Sequence, residues 1–276
     1  MTDRTILITG CSSGIGQCCA IGMKRRGWRV FATARKAEDL EKLAADGLDP
    51  VYLDYAAPES IAAAVAHVLE KNNGRIDALF NNGAYAQPGA VEDIPMPAMR
   101  AQFEANFFGW HDLTRRVIPA MRRQGHGRIV NCSSVLGLVA LRYRGPYNAT
   151  KFAIEGLTDT LRLELAGSGI HVSLIEPGPI VSKFRDNALK AFLANIDREK
   201  SAHRDAYRSE LDRLGGKQTP SRFKLGPEAV LQALVHAVED ERPKAHYHVT
   251  GATKLMGIAR RLLPTTVLDA LARKIS

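Results

Sequence analysis

Residues 4–16 read RTILITGCSSGIG, and the order of residue types in this stretch decides the fold. A short apolar run, residues 4–9, ends at Gly10. Gly14, Ile15 and Gly16 follow after Cys-Ser-Ser, and a helix-compatible run then extends to about Arg26. The pattern predicts a strand, a glycine-rich turn and a helix. Glycine lets the backbone turn sharply, and it lets a diphosphate approach the helix N-terminus, where free N–H groups and the helix dipole favour anions. The spacing Gly10-x-x-x-Gly14-x-Gly16 differs from the strict dinucleotide fingerprint, so on its own it fits either a diphosphate turn or a plain tight turn.

Working outward, apolar runs alternate with helical patterns. Strands are expected at 28–34, 50–54, 76–80, 127–133, 170–176 and 246–250. Helices are expected at 39–46, 60–70, 96–121 and from Tyr147 to about Ala166. Strands and helices in this rhythm form βαβ units, and right-handed crossovers wind them both ways from the centre. The expected fold class is α/β: a single-domain, Rossmann-like doubly wound parallel sheet of about seven strands, with helices on both faces. The second strand ends in Ala34-Arg35-Lys36 with no acid at its tip. That absence, with two cations present, points to the 2′-phosphate of NADP(H) rather than the free ribose hydroxyl of NAD(H).

Composition bounds the rest. The chain has 276 residues, 45% hydrophobic and 24% charged, which is ordinary for a globular domain with a sizeable core. The net charge of +9 is spread along the chain without a polybasic block, so nucleic acid is not the expected partner. Cys11, Cys18, Cys19 and Cys132 show no metal-ligand spacing and read as reduced thiols in a cytoplasmic protein. Met1 leads straight into a strand-like run, and no stretch is long and apolar enough to span a bilayer.

The chemistry concentrates in residues 134–151, SVLGLVALRYRGPYNATK. On a helix Tyr147 and Lys151 lie one turn apart on one face. An ammonium beside a phenol stabilises the phenolate, and bringing a tyrosine from about 10 to near 7 takes roughly 4 kcal/mol. Such a pair suits proton transfer near neutral pH. Asn106 lies in an aromatic run with Phe103, Phe107, Phe108 and Trp110, which reads as a buried and partly kinked helix. Ser133 and Ser134 end the fifth strand, at the edge where open α/β sheets bind ligands.

TGCSSGIG at 9–16, NNGA at 81–84, Asn106, Ser134, YNATK at 147–151 and PGPIVS at 177–182 stand in an order and spacing that resemble the classical short-chain dehydrogenase/reductase family, similar to its 17β-hydroxysteroid and retinol dehydrogenase branch. Ser134 precedes Tyr147 by 13 positions, as the family requires. The resemblance implies Tyr147 as general acid or base, with Lys151 lowering its pKa and binding the nicotinamide ribose. It implies Ser134 as substrate-orienting hydroxyl and Asn106 as holder of a relay water. It implies cofactor contacts from Gly10, Ser12, Ser13, Gly14, Ile15, Gly16, Arg35, Asp54, Asn82, Pro177, Gly178, Ile180 and Ser182, besides Tyr147 and Lys151. No metal is implied. Two departures stand out: Gly83 and Ala84 are exchanged relative to the family's NNAG, and Ser182 replaces the more usual threonine.

Residues 183–225 break the sheet rhythm and are expected to cover the site as a lid. Within it, Phe184, Leu189, Phe192, Leu193, Ile196 and Tyr207 fit either a pocket lining or the lid's own core. Val139, Leu141 and Tyr143 are the expected pocket-liners, with Arg142 and Arg144 at the rim of an apolar pocket. His246 and His248 share one strand face and, without a third ligand, read as structural. Residues 251–276 form an amphipathic basic extension suited to packing on this chain, on a second subunit or on an anionic membrane surface. The expected function is interconversion of a small hydrophobic alcohol and its aldehyde or ketone, by hydride transfer with NADP(H), in a homodimer or homotetramer. The alternative is a non-catalytic NADP(H)-sensing protein on the same fold.

Overall fold

A computed structural model describes residues 4–215 and 224–275. The sheet contains β1 (Thr5–Ile8), β2 (Arg29–Ala34), β3 (Asp49–Tyr52), β4 (Ala78–Asn81), β5 (Gly127–Cys132), β6 (Ile170–Glu176) and β7 (His246–His248). Every pairing is parallel, in the order β3-β2-β1-β4-β5-β6-β7. Chain order reverses between β1 and β4, which opens a crevice at their carboxyl ends. Both strands are buried along their whole length. That is why they read as continuous apolar runs instead of alternating ones: helices cover both faces of a parallel sheet.

Helices α1 (Gly14–Arg25), α2 (Ala37–Ala45) and α3 (Pro58–Lys71) connect the first half. α4 (Met96–Phe103) continues into α5 (Gly109–Gln124) through a π-turn at Glu104–Phe108, and α6 (Gly145–Glu164) links β5 to β6. α7 (Phe184–Asn195) and α8 (Arg204–Leu214) precede α9 (Glu228–Glu239), and α10 (Gly251–Leu262) and α11 (Thr265–Ile275) follow β7. Several ends differ from the sequence reading by one to three residues, the usual uncertainty where terminal pairs fray. α6 begins at Gly145 because Pro146 sits in its first turn, where a missing N–H leaves no helical bond unmade.

Beneath the crevice a chain of buried polar side chains crosses three strands. The Tyr55 hydroxyl, Thr9 Oγ1 and Asn81 Oδ1 meet at 2.7 and 3.0 Å. The Asn81 amide donates to Thr114 and Asn131, and Asn131 donates to Thr158. These bonds fix β1, β4 and β5 to α5 and α6 in one register, which apolar packing alone specifies less sharply.

His246 and His248 each lie 2.7 Å from a carboxylate oxygen of the fully buried Glu176. The expectation that no third group joins them is corrected: Glu155 and Glu176 converge on His246, with potential ligand atoms within 4.8 Å of one another. The His–Glu176 contacts account for this geometry as a tie between β6 and β7. Among the described residues, no helix is long and apolar enough to cross a membrane.

Gly10 has φ +69°, and a Cβ there would lie 2.5 Å from the Cα of Gly83. The ends of β1 and β4 therefore touch backbone to backbone. Gly10→Ala should destabilise the protein by about 2–4 kcal/mol, read from urea unfolding, because both the conformation and the contact are lost.

Candidate active site

The crevice is assembled from the carboxyl ends of β1, β2, β4, β5 and β6. α1 starts at Gly14 with no capping bond from the Ser13 side chain and no acid in its first turn. Its N–H groups are thus left for an anion. Ser12 is exposed, while Ser13 and Ile15 are half-buried beside the turn. Gly16 is pressed against the Gly10 carbonyl, where a Cβ would stand 2.2 Å away. The exchange at 83–84 places glycine where Gly10 makes its approach, and the Gly83 carbonyl accepts from the Trp110 indole at 2.9 Å. An uncapped helix end over a turn that tolerates no side chains fits a dinucleotide diphosphate.

Arg35 is 70% exposed at the tip of β2, 4.0 Å from Asp54. Lys36 pairs with Glu38 instead. Asn82 is engaged with the protein itself: its N–H bonds Thr9 Oγ1 at 2.8 Å and its side-chain amide the Thr9 carbonyl at 3.0 Å. The loop after β6 folds across the glycine turn, so that a Cβ on Gly14 would meet Ser182 at 2.9 Å. Pro177 accepts from the Val135 N–H at 2.9 Å, Gly178 abuts Thr250, and Ile180 bridges to Leu225.

Ser134, Tyr147 and Lys151 come together at the end of β5. Ser134 Oγ accepts from the Leu136 N–H at 3.1 Å, capping a short turn that holds it in place. Lys151 is 1% exposed. Its Nζ donates to the Cys132 carbonyl at 2.7 Å and lies 4.4 Å from the Trp110 ring centre and 5.5 Å from that of Tyr147. Burial pulls its pKa down to about 8, against the milder opposing pulls of Cys132 and Glu155. Burial also raises Tyr147, against a hydrogen bond with Ser134 that lowers it. Burial dominates both shifts. Desolvation outweighs the pairing because both groups are sealed from water.

Asn106 is fully buried within the π-turn. Its side chain donates to the Tyr85 carbonyl at 2.8 Å and accepts from the Tyr85 N–H at 3.2 Å. The Gly109 N–H reaches back to the Glu104 carbonyl, five residues away, which loosens the helical ladder around Asn106.

Lid helices α7 and α8 form a second apolar cluster with Tyr147. Phe192 and Tyr207 are buried and stack edge to face at 5.0 Å, and Ile196 is buried beside them. Leu193 faces solvent. The Tyr207 hydroxyl bonds Asp93 and accepts from the Ala90 N–H. These residues are thus the lid's own core, whereas Phe184 packs on Tyr147 at 5.3 Å and faces the cleft. Residues 216–223, including the second glycine of the 215–216 break, lie outside the described residues.

The cleft beside Tyr147 has a volume of about 80 Å³ and is open to solvent on one side. Two expectations about it are corrected. Val139, Leu141 and Tyr143 do not line it; Leu136 does, because Tyr143, at φ +58°, turns onto His203 and Tyr207. The lining is also not purely apolar: Arg144, Arg185 and Arg213 join Phe184 and Ala188. Of the two arginines expected at the rim, Arg144 lines the cleft and Arg142 does not. Nothing in the sequence singles out Arg185.

The sequence profile described as short chain dehydrogenase matches residues 4–192. An uncharacterized oxidoreductase, YbbO, of Escherichia coli strain K12 is 41% identical over 268 residues, covering 97% of this chain and 93% of its own. Human retinol dehydrogenase 8 is 34% identical, covering 87% and 79%. The structure of an actinorhodin polyketide ketoreductase variant with NADPH superimposes with a TM-score of 0.75 at 28% identity, covering 92% and 97%. The chain belongs to the short-chain dehydrogenase family. It is a nucleotide-binding oxidoreductase.

Lys151 gives a test in pH. Its folded pKa is about 8 and its ordinary value 10.5, so between these the unfolded chain holds the extra proton and stability rises with pH. Relative to Lys151→Met, the wild-type protein should gain about 3 kcal/mol in urea unfolding from about pH 7 to pH 10.5. Parallel curves would show that Lys151 does not titrate early.

Proposed function

We propose that this protein is an NADP(H)-dependent oxidoreductase that interconverts an apolar alcohol with its aldehyde or ketone, with Tyr147 handling the proton. The observation that carries this reading is the meeting of Tyr147, Lys151 and Ser134 between a vacant-headed helix turn and a lidded cleft. The backbone around Gly10, Gly14 and Gly16 would hold the diphosphate, with Ser12, Ser13 and Ile15 alongside. Arg35 would take the 2′-phosphate, Asp54 the adenine edge, and the 177–182 loop the nicotinamide. Bound, the cofactor supplies the hydride.

In reduction, Tyr147 donates its phenolic proton to the substrate oxygen as negative charge builds there. Its raised pKa keeps that proton in place at rest. Ser134 orients the same oxygen through a hydrogen bond. Lys151, one helical turn away, stabilises the phenolate left behind. In oxidation the roles of acid and base reverse. Asn106 has its amide committed to Tyr85, so it serves the proton relay through its main chain at the π-turn. The free cysteines, three of them buried and Cys18 half-buried, support a cytoplasmic location, and a homodimer or homotetramer is the assembly we expect.

Tyr147→Phe should cut NADPH-linked reduction of apolar aldehydes by about 10²–10⁴-fold while leaving NADPH affinity in place. Retained turnover would end the assignment of Tyr147. Arg35→Ala should weaken NADPH binding by roughly tenfold or more, read by cofactor fluorescence, and leave NADH binding little changed. Equal losses for both cofactors would remove the case for a 2′-phosphate contact.

A further inference from the structure

The cleft beside Tyr147 holds more positive charge than its own carboxylates neutralise. Arg144, Arg185 and Arg213 line it with no carboxylate among the lining residues, and Glu210, outside the lining, pairs with Arg213. Three guanidinium groups against one carboxylate leave two unit charges over. Among the described residues, neither Arg144 nor Arg185 forms an ion pair. The Arg144 guanidinium bonds only a neutral acceptor there, the Arg142 carbonyl, at 3.0 Å. Burial, then the like charge of Arg213, pulls the Arg144 pKa down to about 10, so the folded protein holds this cation at a disadvantage.

The Glu210 carboxylate opposes this pull but is already paired to Arg213, and a half-buried cation with only a shared counter-charge is unfavourable unless something else supplies more. Besides Gln87 and Tyr147, the remaining lining is apolar, with Leu136, Phe184, Ala188 and Leu214 among it. Arginine presents a planar fork that matches a carboxylate. We infer that the substrate of this cleft is an amphiphile, a carbonyl or alcohol on an apolar chain that carries an anionic group, which Arg144 and Arg185 receive while the carbon to be reduced faces Tyr147.

The inference rests on the proposed oxidoreductase reading but sharpens its substrate class. It also orients the ligand. The apolar chain crosses Leu136 and Phe184, and the acid end is held where the helix start and the lid meet. A neutral retinoid-like molecule would leave both guanidinium groups unmatched.

The experiment separates this inference from the reading beneath it. Binding is measured first, by calorimetry on the NADPH-loaded protein, with nonanoate against nonanol. Nonanoate should bind about tenfold or more tighter, and Arg185→Gln and Arg144→Gln should each erase most of that difference. Turnover is then compared for nonanal, azelaic semialdehyde and the methyl ester of azelaic semialdehyde. The semialdehyde should have the highest kcat/KM, and the ester should fall to the level of nonanal. In the two glutamine variants the ratio of semialdehyde to nonanal should drop by about tenfold. Nonanol binding as tightly as nonanoate, or a preference unaffected by both variants, would overturn the inference. If no carbonyl oxidises NADPH while nonanoate still binds through Arg185, the oxidoreductase reading of the substrate fails and the anion site stands.

Discussion

One buried ammonium constrains this active site. Lys151 is sealed from water with a single carbonyl for a hydrogen-bond partner and two aromatic rings for neighbours. A cation so placed is tolerable only if its surroundings are fixed, since any slack would expose it to an unmatched low dielectric. That requirement reaches outward. The Cys132 carbonyl is the end of β5, and Trp110 is held by its indole bond to Gly83. Gly83 in turn is fixed by contact with Gly10. The glycine turn at the end of β1 and the lysine beside the phenol are therefore parts of one continuous set of contacts.

The architecture was legible in the sequence because a parallel sheet buries both faces. Its strands appear as unbroken apolar runs such as Ile6-Leu7-Ile8, and the glycine turn marks where the first of them stops. The positions of Ser134, Tyr147 and Lys151 were legible because fixed spacing on a strand end and one helix survives folding unchanged. Other features were not. The π-turn around Asn106 shifts hydrogen-bond register without altering residue composition. The link from Tyr55 through Asn81 to Thr158 joins residues far apart in the chain. Spacing reveals the charge of Lys151 beside Tyr147 but not how deeply both groups are buried. Arg185 and Arg213 reach the cleft only through the docking of the lid, a tertiary event without a local signature.

The two halves of the crevice are built on different principles. The cofactor side is backbone: glycines, helix N–H groups and strand ends in close contact, with little room for variation. The substrate side is side chain, set by α7, α8 and the segment around 86–93 to which they are tied through Asp93 and Gln87.

Tyr147 belongs to the apolar cluster of the lid and also stands beside the lysine of the sheet. It is the hinge post between two separately packed cores. Repacking α7 or α8 to admit another molecule changes what surrounds the phenol, through Phe184 first. Substitutions in α7 that reshape the cleft therefore also reshape the surroundings of the phenol.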